Sequence, residues 1–176
     1  MSARILIAGV GNIFLGDDAF GVEVVARLTA EHLPEDVRVE DFGIRGMHLA
    51  YELLEGYELA ILVDAVPRGG TPGDLYVIEP DREAGSINAT GDTLLDAHSM
   101  EPGSVLSLLD TLGGNVRVLV VGCEPADASE RMGLSQPVAA AVERAVPLVM
   151  GLIESETKAE ATHARAGSRH GTREDT

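Results

Sequence analysis

Two carboxylates and one imidazole are the side chains of this sequence best suited to chemistry. Asp17 and Asp18 adjoin in a glycine-containing loop, Asp64 closes an apolar run, and His98 stands in the segment 96–100. Asp18, Asp64 and His98 would supply two carboxylate oxygens and one imidazole nitrogen. That set suits a borderline metal such as nickel or zinc, with coordination positions left open. By spacing alone the set is not specific, because any α/β protein offers a few such residues.

Each candidate also has an ordinary structural interpretation. An Asp before a helix most often caps it, and an Asp after a strand often forms a turn. A His before a helix is more often a cap or a surface residue than a ligand. Cys123 follows an apolar strand, where packing is a better interpretation than a nucleophilic role. The roles of Asp17, His48 and Cys123 therefore stay open at this point.

The elements that must position these residues alternate between strand and helix. Apolar patterns predict strands at 4–8, 37–40, 59–63, 75–78 and 116–121, and helices at 19–32, 47–56, 101–112 and 137–153. The alternation favours a three-layer α/β/α sandwich. With right-handed crossovers, a uniformly apolar strand 5 and a polar-flanked strand 4 predict a five-stranded mixed sheet of order 2-1-3-5-4. Strand 4 is expected to be antiparallel.

This topology predicts where the candidates meet. Asp18 follows strand 1 and Asp64 ends strand 3, so both lie at the switch point where open α/β sheets bind ligands. We expect the ligating atoms of Asp18, Asp64 and His98 about 3–5 Å apart, as ligands of one ion must be. A dinucleotide site is a poor alternative, because Phe14 replaces the third glycine of G-x-G-x-x-G and carboxylates repel phosphates.

Composition limits the class of protein. A chain of 176 residues, 45% of them hydrophobic, predicts one domain, which we assign to 1–153. The polar composition from Glu154 onward predicts a disordered tail at 154–176. The net charge of −16 argues against nucleic-acid binding, and no apolar run reaches the length of a membrane span. A single cysteine and a strand that begins near Arg4 favour a cytoplasmic protein without a signal peptide, and we expect a monomer.

Six pieces of the sequence resemble the NiFe-hydrogenase maturation proteases and occur in the family's order. They are Gly9-x-Gly-Asn-x-x-x-x-Asp-Asp-x-x-Gly21, Asp41-x-Gly-x-x-Gly-Met47, Leu62-Val-Asp-Ala-Val66, Pro72-Gly73, His98-x-Met100 and Gly122-Cys-Glu-Pro125. Together they cover about residues 4–153. The resemblance implies a fold of the phosphorylase/hydrolase-like type. At positions 42 and 44, where many members have Gly and Thr, this chain has Phe42 and Ile44, a departure that bears on substrate recognition.

The resemblance also implies a function. Three metal-binding residues of the family correspond to Asp18, Asp64 and His98, which would be both the catalytic residues and the metal ligands. The family removes a C-terminal extension from the hydrogenase large-subunit precursor after nickel has been inserted. The partner would then be the nickel-loaded precursor, which supplies the nickel, and no permanently bound catalytic metal is expected.

Two other functions would use the same three residues. An ordinary metallohydrolase would hold its own zinc and retain it through purification. A binding module would dock the nickel-loaded precursor without shortening it. The sequence does not identify the hydrogenase isoenzyme that is processed, nor does it decide whether the metal is a Lewis acid or a docking point.

Overall fold

The computed structural model describes residues 4–80 and 102–167, with side chains as far as residue 159. A short 3₁₀ turn at Gly16–Ala19 connects the first strand to the first helix. The strands are β1 (Ile5–Val10), β2 (Val37–Gly43), β3 (Leu59–Ala65), β4 (Leu75–Ile78) and β5 (Arg117–Cys123). The helices are α1 (Phe20–Leu28), α2 (Gly46–Glu52), α3 (Pro102–Thr111) and α4 (Gln136–Gly167).

The five strands form one mixed sheet of order β2-β1-β3-β5-β4, which confirms the predicted topology. β1 pairs in parallel with β2 and β3, β3 pairs in parallel with β5, and β4 pairs antiparallel with β5. All six residues of β1 are buried, and β3 is buried over its first six residues. The edge strands β2 and β4 are mostly half-buried. Burial on both faces is why the central strands read as continuous apolar runs.

The side chains of the sheet alternate between two apolar layers. Ile7 and Ile61 pack toward α1 and α4, in a cluster that includes Phe20 and Val142. The neighbouring residues of the strands, such as Leu62, pack toward α2 and α3 in a second cluster. Because successive side chains of a strand point to opposite faces, one apolar run fills both layers. The result is the predicted three-layer sandwich.

The last helix differs from the sequence prediction. α4 continues to Gly167, so the disordered tail expected from Glu154 is wrong for residues 154–167. Apolar residues become rare there, but the alanines, glutamates and lysine have high intrinsic helix propensity. Lys158 Nζ lies 3.7 Å from Glu154 Oε2, one turn earlier in the helix. A guanidinium nitrogen of Arg117 in β5 lies 2.7 Å from Glu156 Oε1. Residues 168–176 lie outside the described residues, and the domain limit at 153 stays a prediction.

Candidate active site

Asp18 and Asp64 line one cavity at the carboxyl edge of the sheet. Asp18 lies in the 3₁₀ turn after β1, and Asp64 is the sixth residue of β3. β1 and β3 are adjacent parallel strands, so their carboxyl ends meet at the same edge. The cavity has a volume of about 660 Å³ and both carboxylates are among its lining residues. The structure therefore brings together two of the three predicted site residues, and their role as ligands stays a prediction.

The third predicted residue, His98, lies outside the described residues. Pro80 and Pro102, the described residues on either side of the segment 81–101, both line the cavity. No group of three His, Cys, Asp or Glu side chains able to hold a metal ion occurs within 4–80 and 102–159. The spacing predicted for Asp18, Asp64 and His98 therefore stays a prediction.

The walls around the two carboxylates are largely apolar. Val66, Ile78, Leu106 and Val120 contribute to them, together with several prolines. Asp64 is a lining residue and is only 5% exposed. A cleft with a few polar groups in an apolar lining is typical of ligand sites. A largely apolar lining suits a peptide segment better than a highly charged ligand.

The glycine-containing loop fixes the position of Asp18. The backbone N–H of Asn12 donates to Asp18 Oδ2 at 2.7 Å. Gly11 has a φ of +134°, and a Cβ there would lie 1.8 Å from the carbonyl oxygen of Asp18. A Cβ on Gly21 would likewise lie 2.0 Å from the carbonyl oxygen of Val63. These two glycines are required because the loop and α1 approach the backbone too closely for any side chain.

Asp17 has a different role from its neighbour. It is fully buried, and its carboxylate accepts hydrogen bonds from the loop between β5 and α4. The donors are the backbone N–H of Ala126 at 2.8 Å, of Asp127 at 2.9 Å and of Ser135 at 2.6 Å, and the Ser135 hydroxyl at 2.9 Å. Burial alone would raise the pKa of Asp17, but these hydrogen bonds outweigh it and lower the pKa. Asp17 is not among the cavity-lining residues and serves as a buried anchor between two loops.

Glu124 is a second buried anchor, for which the sequence predicted no role. Its carboxylate accepts hydrogen bonds from Arg68 N–H at 2.8 Å, Gly69 N–H at 3.2 Å and the Tyr76 hydroxyl at 2.9 Å. Hydrogen bonding, first of all from the Arg68 amide, lowers the pKa of Glu124. It thereby holds the segment after β3, whose residues Val66 and Pro67 form one wall of the cavity. The signals in the sequence were an acidic residue directly after an apolar strand and its place in the piece Gly122-Cys-Glu-Pro125, and neither indicated which groups it contacts.

Comparison with known proteins identifies the family. A family model described as hydrogenase maturation protease matches residues 22–152, which is more than half of the chain. The chain belongs to the hydrogenase maturation protease family. This family membership confirms the resemblance expected from the sequence motifs.

Relatives and solved structures match this maturation protease over most of its length. A putative hydrogenase maturation protease of Methanocaldococcus jannaschii is 35% identical over 85% of this chain and 96% of its own length. The hydrogenase 2 maturation protease of Escherichia coli is 31% identical, covering 85% and 90% of the two chains. The crystal structure of a hydrogenase 2 maturation peptidase from a Thaumarchaeota archaeon superposes with a TM-score of 0.65 at 32% identity, covering 85% and 97%.

A second structure is the hydrogenase maturating endopeptidase of Escherichia coli. It matches with a TM-score of 0.69 at 28% identity, covering 87% of this maturation protease and 93% of the other chain. The mixed sheet of this maturation protease is thus the fold of its family. The relatives are proteases, so an enzymatic role in hydrogenase maturation is supported over the alternatives left open by the sequence.

The remaining candidates of this maturation protease lie outside the cavity lining. Cys123 is fully buried, and burial, as the largest cause, raises the pKa of its thiol to about 12. A buried thiol with that pKa carries almost no thiolate at neutral pH, which favours packing over a nucleophilic role for Cys123. His48 is an exposed residue of α2 and does not line the cavity. Within the described residues, no helix is both long and apolar enough to cross a membrane.

Proposed function

We propose that this protein is an endopeptidase that removes the C-terminal extension of a NiFe-hydrogenase large-subunit precursor after nickel insertion. The observation that carries the proposal is that Asp18 and Asp64 line one cavity at the switch point of a maturation-protease fold. The relatives named above are maturation proteases of hydrogenases. Cytoplasmic localisation and a monomeric state belong to the same proposal. A single, buried cysteine is consistent with a reducing compartment.

The nickel is part of the substrate in this proposal. Asp18, Asp64 and His98 would complete the coordination of a nickel ion that the precursor already holds. Two carboxylates and one imidazole make an open site of modest affinity, so the free protein needs no resident metal. His98 stands four residues before Pro102 of the cavity wall, so a short chain connects it to the cavity. Once the precursor docks, proximity gives its nickel a high effective concentration beside these residues.

The residues of the cavity would then act by orientation. The Asn12 amide holds Asp18 at one side, and Asp64 is held by the end of the central strand β3. The apolar wall that includes Val66 and Leu106 would exclude water from the bound C-terminal segment. With the nickel fixed by the three ligands, the scissile bond would lie beside the metal, where positioning lowers the barrier to cleavage.

The decisive experiment compares nickel-loaded with nickel-free precursor. We expect purified protein with little bound metal to shorten only the nickel-loaded precursor, and dialysis against a chelator beforehand to leave this activity intact. The mass of the large subunit is the readout. Asp64→Asn should abolish cleavage with little loss of fold, whereas Asp110→Asn, on the exposed face of α3, serves as the matched control.

Two results would replace the proposal by one of its alternatives. Cleavage of the nickel-free precursor by zinc-reconstituted protein would identify an ordinary metallohydrolase that uses its own metal. Stable binding of the nickel-loaded precursor by the wild-type protein, without any change in the mass of the large subunit, would identify a binding module.

A further inference from the structure

Several large apolar side chains are exposed on the segments that follow β1, β2 and β5, the first of which carries Asp18. Phe14 is 60% exposed, Ile44 is 64% exposed and Met132 is 70% exposed. Ile13 and Met47 are exposed by 40% and 50%. These five residues, which we call the apolar rim, come from three loops or loop–helix junctions at the carboxyl edge of the sheet. Scattered exposed apolar residues are ordinary, but a cluster next to a candidate active site is not.

Backbone hydrogen bonds tie the parts of the apolar rim together. Arg131 N–H donates to the carbonyl oxygen of Phe14 at 2.9 Å, and Gly16 N–H donates to that of Arg131 at 2.8 Å, so Phe14 and Met132 lie on neighbouring segments. Gly11 N–H donates to the carbonyl oxygen of Gly43 at 3.0 Å, which connects the Ile44 loop to the same edge. The rim is therefore a preorganised surface.

The same loop that carries Phe14 also fixes Asp18. Phe14 N–H donates to Asn12 Oδ1 at 2.9 Å, while the Asn12 N–H donates to Asp18 at 2.7 Å. The apolar rim is thus continuous with the mouth of the cavity that Gly11 and Asp18 line. A folded protein whose chain reaches Asp18 would pass close to this loop, because Asn12 is hydrogen-bonded both to Asp18 and to the Phe14 amide.

Area and charge distinguish between possible occupants of the rim. Five side chains exposed by 40–70% present on the order of 500 Å², a size at which patches on monomers are often functional. Each side of a stable complex buries about 800 Å², so the rim alone is too small for a stable dimer. Two copies of this chain would also repel each other, since each carries a net charge of −16. A partner that covers the rim and also fills the cavity makes up the missing area.

We propose that the apolar rim docks the folded body of the hydrogenase large-subunit precursor while its C-terminal segment enters the cavity. This inference rests on the proposed function. The rim supplies binding energy away from the reacting atoms, in the manner of an aromatic hot spot with apolar neighbours. Phe14 and Met132 are taken as its main contact residues, because both are large, mostly exposed and carried on neighbouring hydrogen-bonded segments.

The test uses two double variants with the same chemistry. Phe14→Ser/Met132→Ser removes two large exposed side chains of the rim. Val77→Ser/Leu112→Ser removes exposed apolar side chains from β4 and from the residue after α3, far from Asp18 in the chain and outside the cavity lining. Ile44→Ser is a second rim variant on a separate loop. Circular dichroism and the urea midpoint check that each variant folds.

The measurements are the Kd for the nickel-loaded precursor, the kinetics of its cleavage, and the oligomeric state by light scattering. We expect the rim variants to raise both Kd and KM by about tenfold or more, with little effect on kcat. The reason is that hot-spot residues of an interface contribute to binding and not to the chemical step. The control double variant should stay within about twofold of wild type. A rim variant that also stays within twofold would overturn the inference.

The outcomes separate this inference from the proposed function. If wild-type protein binds the precursor without cleaving it, the proposed function fails, and the Kd of the variants still decides on the rim. If wild-type protein cleaves and the rim variants match it in Kd and KM, only the rim inference fails. A wild-type dimer that the rim variants convert to monomer would show that a second copy occupies the rim, which also overturns the inference.

Discussion

Replacement of Asp17 should destabilise this protein far more than the same replacement of Asp18. The Asp17 side chain is fully buried and accepts four hydrogen bonds, whereas Asp18 accepts one from the Asn12 amide and is half-exposed. Three of the donors to Asp17 are backbone amides, from Ala126, Asp127 and Ser135. Asp17→Asn and Asp18→Asn change the same atoms at adjacent positions, so each is the matched control for the other.

The loss of unfolding free energy expected for Asp17→Asn depends on the four hydrogen bonds to the Asp17 carboxylate, which are 2.6–2.9 Å long. A hydrogen bond to a charged group contributes about 1.5–3 kcal/mol, but the contributions at one carboxylate are not additive. The Asn amide retains one acceptor oxygen and turns an N–H₂ group toward donors that then have no acceptor. We expect Asp17→Asn to lower the free energy of unfolding by about 3–5 kcal/mol, as removal of one partner from a buried charged network does. Asp18→Asn should cost about 1 kcal/mol or less.

Urea unfolding followed by circular dichroism measures both free-energy changes, since the midpoint shifts in proportion to the free energy of unfolding when the slope is constant.

The pH dependence of the free energy of unfolding gives a second readout. The pKa of Asp17 is lower in the folded chain than in the unfolded chain, so its contribution is complete above about pH 4 and declines as the pH falls through the folded pKa. The difference between wild type and Asp17→Asn should therefore shrink in acid. Equal unfolding free energies for Asp17→Asn and Asp18→Asn would refute the assignment of Asp17 as the structural anchor.

Three further variants or reagents test other parts of the structure. Gly11→Ala should abolish cleavage and lower the urea midpoint, because its Cβ would lie 1.8 Å from the Asp18 carbonyl oxygen. Glu124→Gln should speed tryptic cleavage after Arg68, measured by mass spectrometry under native conditions, because that carboxylate holds the Arg68 and Gly69 amides. Cys123 should react with a thiol reagent in urea but hardly at all in the folded protein, since burial raises its pKa to about 12.

The sheet could be predicted from the sequence because the burial of each strand determines its pattern of apolar residues. β3 and β5 are apolar along nearly their whole length, as strands covered on both faces must be, whereas β4 is short and half-buried. Right-handed crossovers leave few arrangements of such strands. Asp64 was identifiable for the same reason, since a carboxylate at the end of a buried strand must lie at the carboxyl edge of the sheet.

The extent of α4 and the role of Glu124 could not be predicted in the same way. The apolar positions of α4 end near residue 153 and predict an end there, but residues of high helix propensity and the ion pair between Arg117 and Glu156 favour its continuation to Gly167. The Glu124 carboxylate accepts hydrogen bonds from the backbone amides of Arg68 and Gly69, which lie 56 and 55 residues away in the chain. A single sequence contains no signal that connects a carboxylate to backbone amides so distant, because every residue type except proline presents such an amide.

The pair Asp17-Asp18 shows how the fold divides one motif between stability and function. The two residues occupy successive positions of a 3₁₀ turn, where successive side chains differ by about a third of a turn in direction. One carboxylate is thereby directed to the loop that contains Ser135, 118 residues away, and the other to the cavity. The anchored residue fixes the backbone from which its neighbour projects. A substitution at Asp17 should therefore reduce processing through misplacement of Asp18, and this loss should be measurable without urea, where circular dichroism shows the variant to be folded.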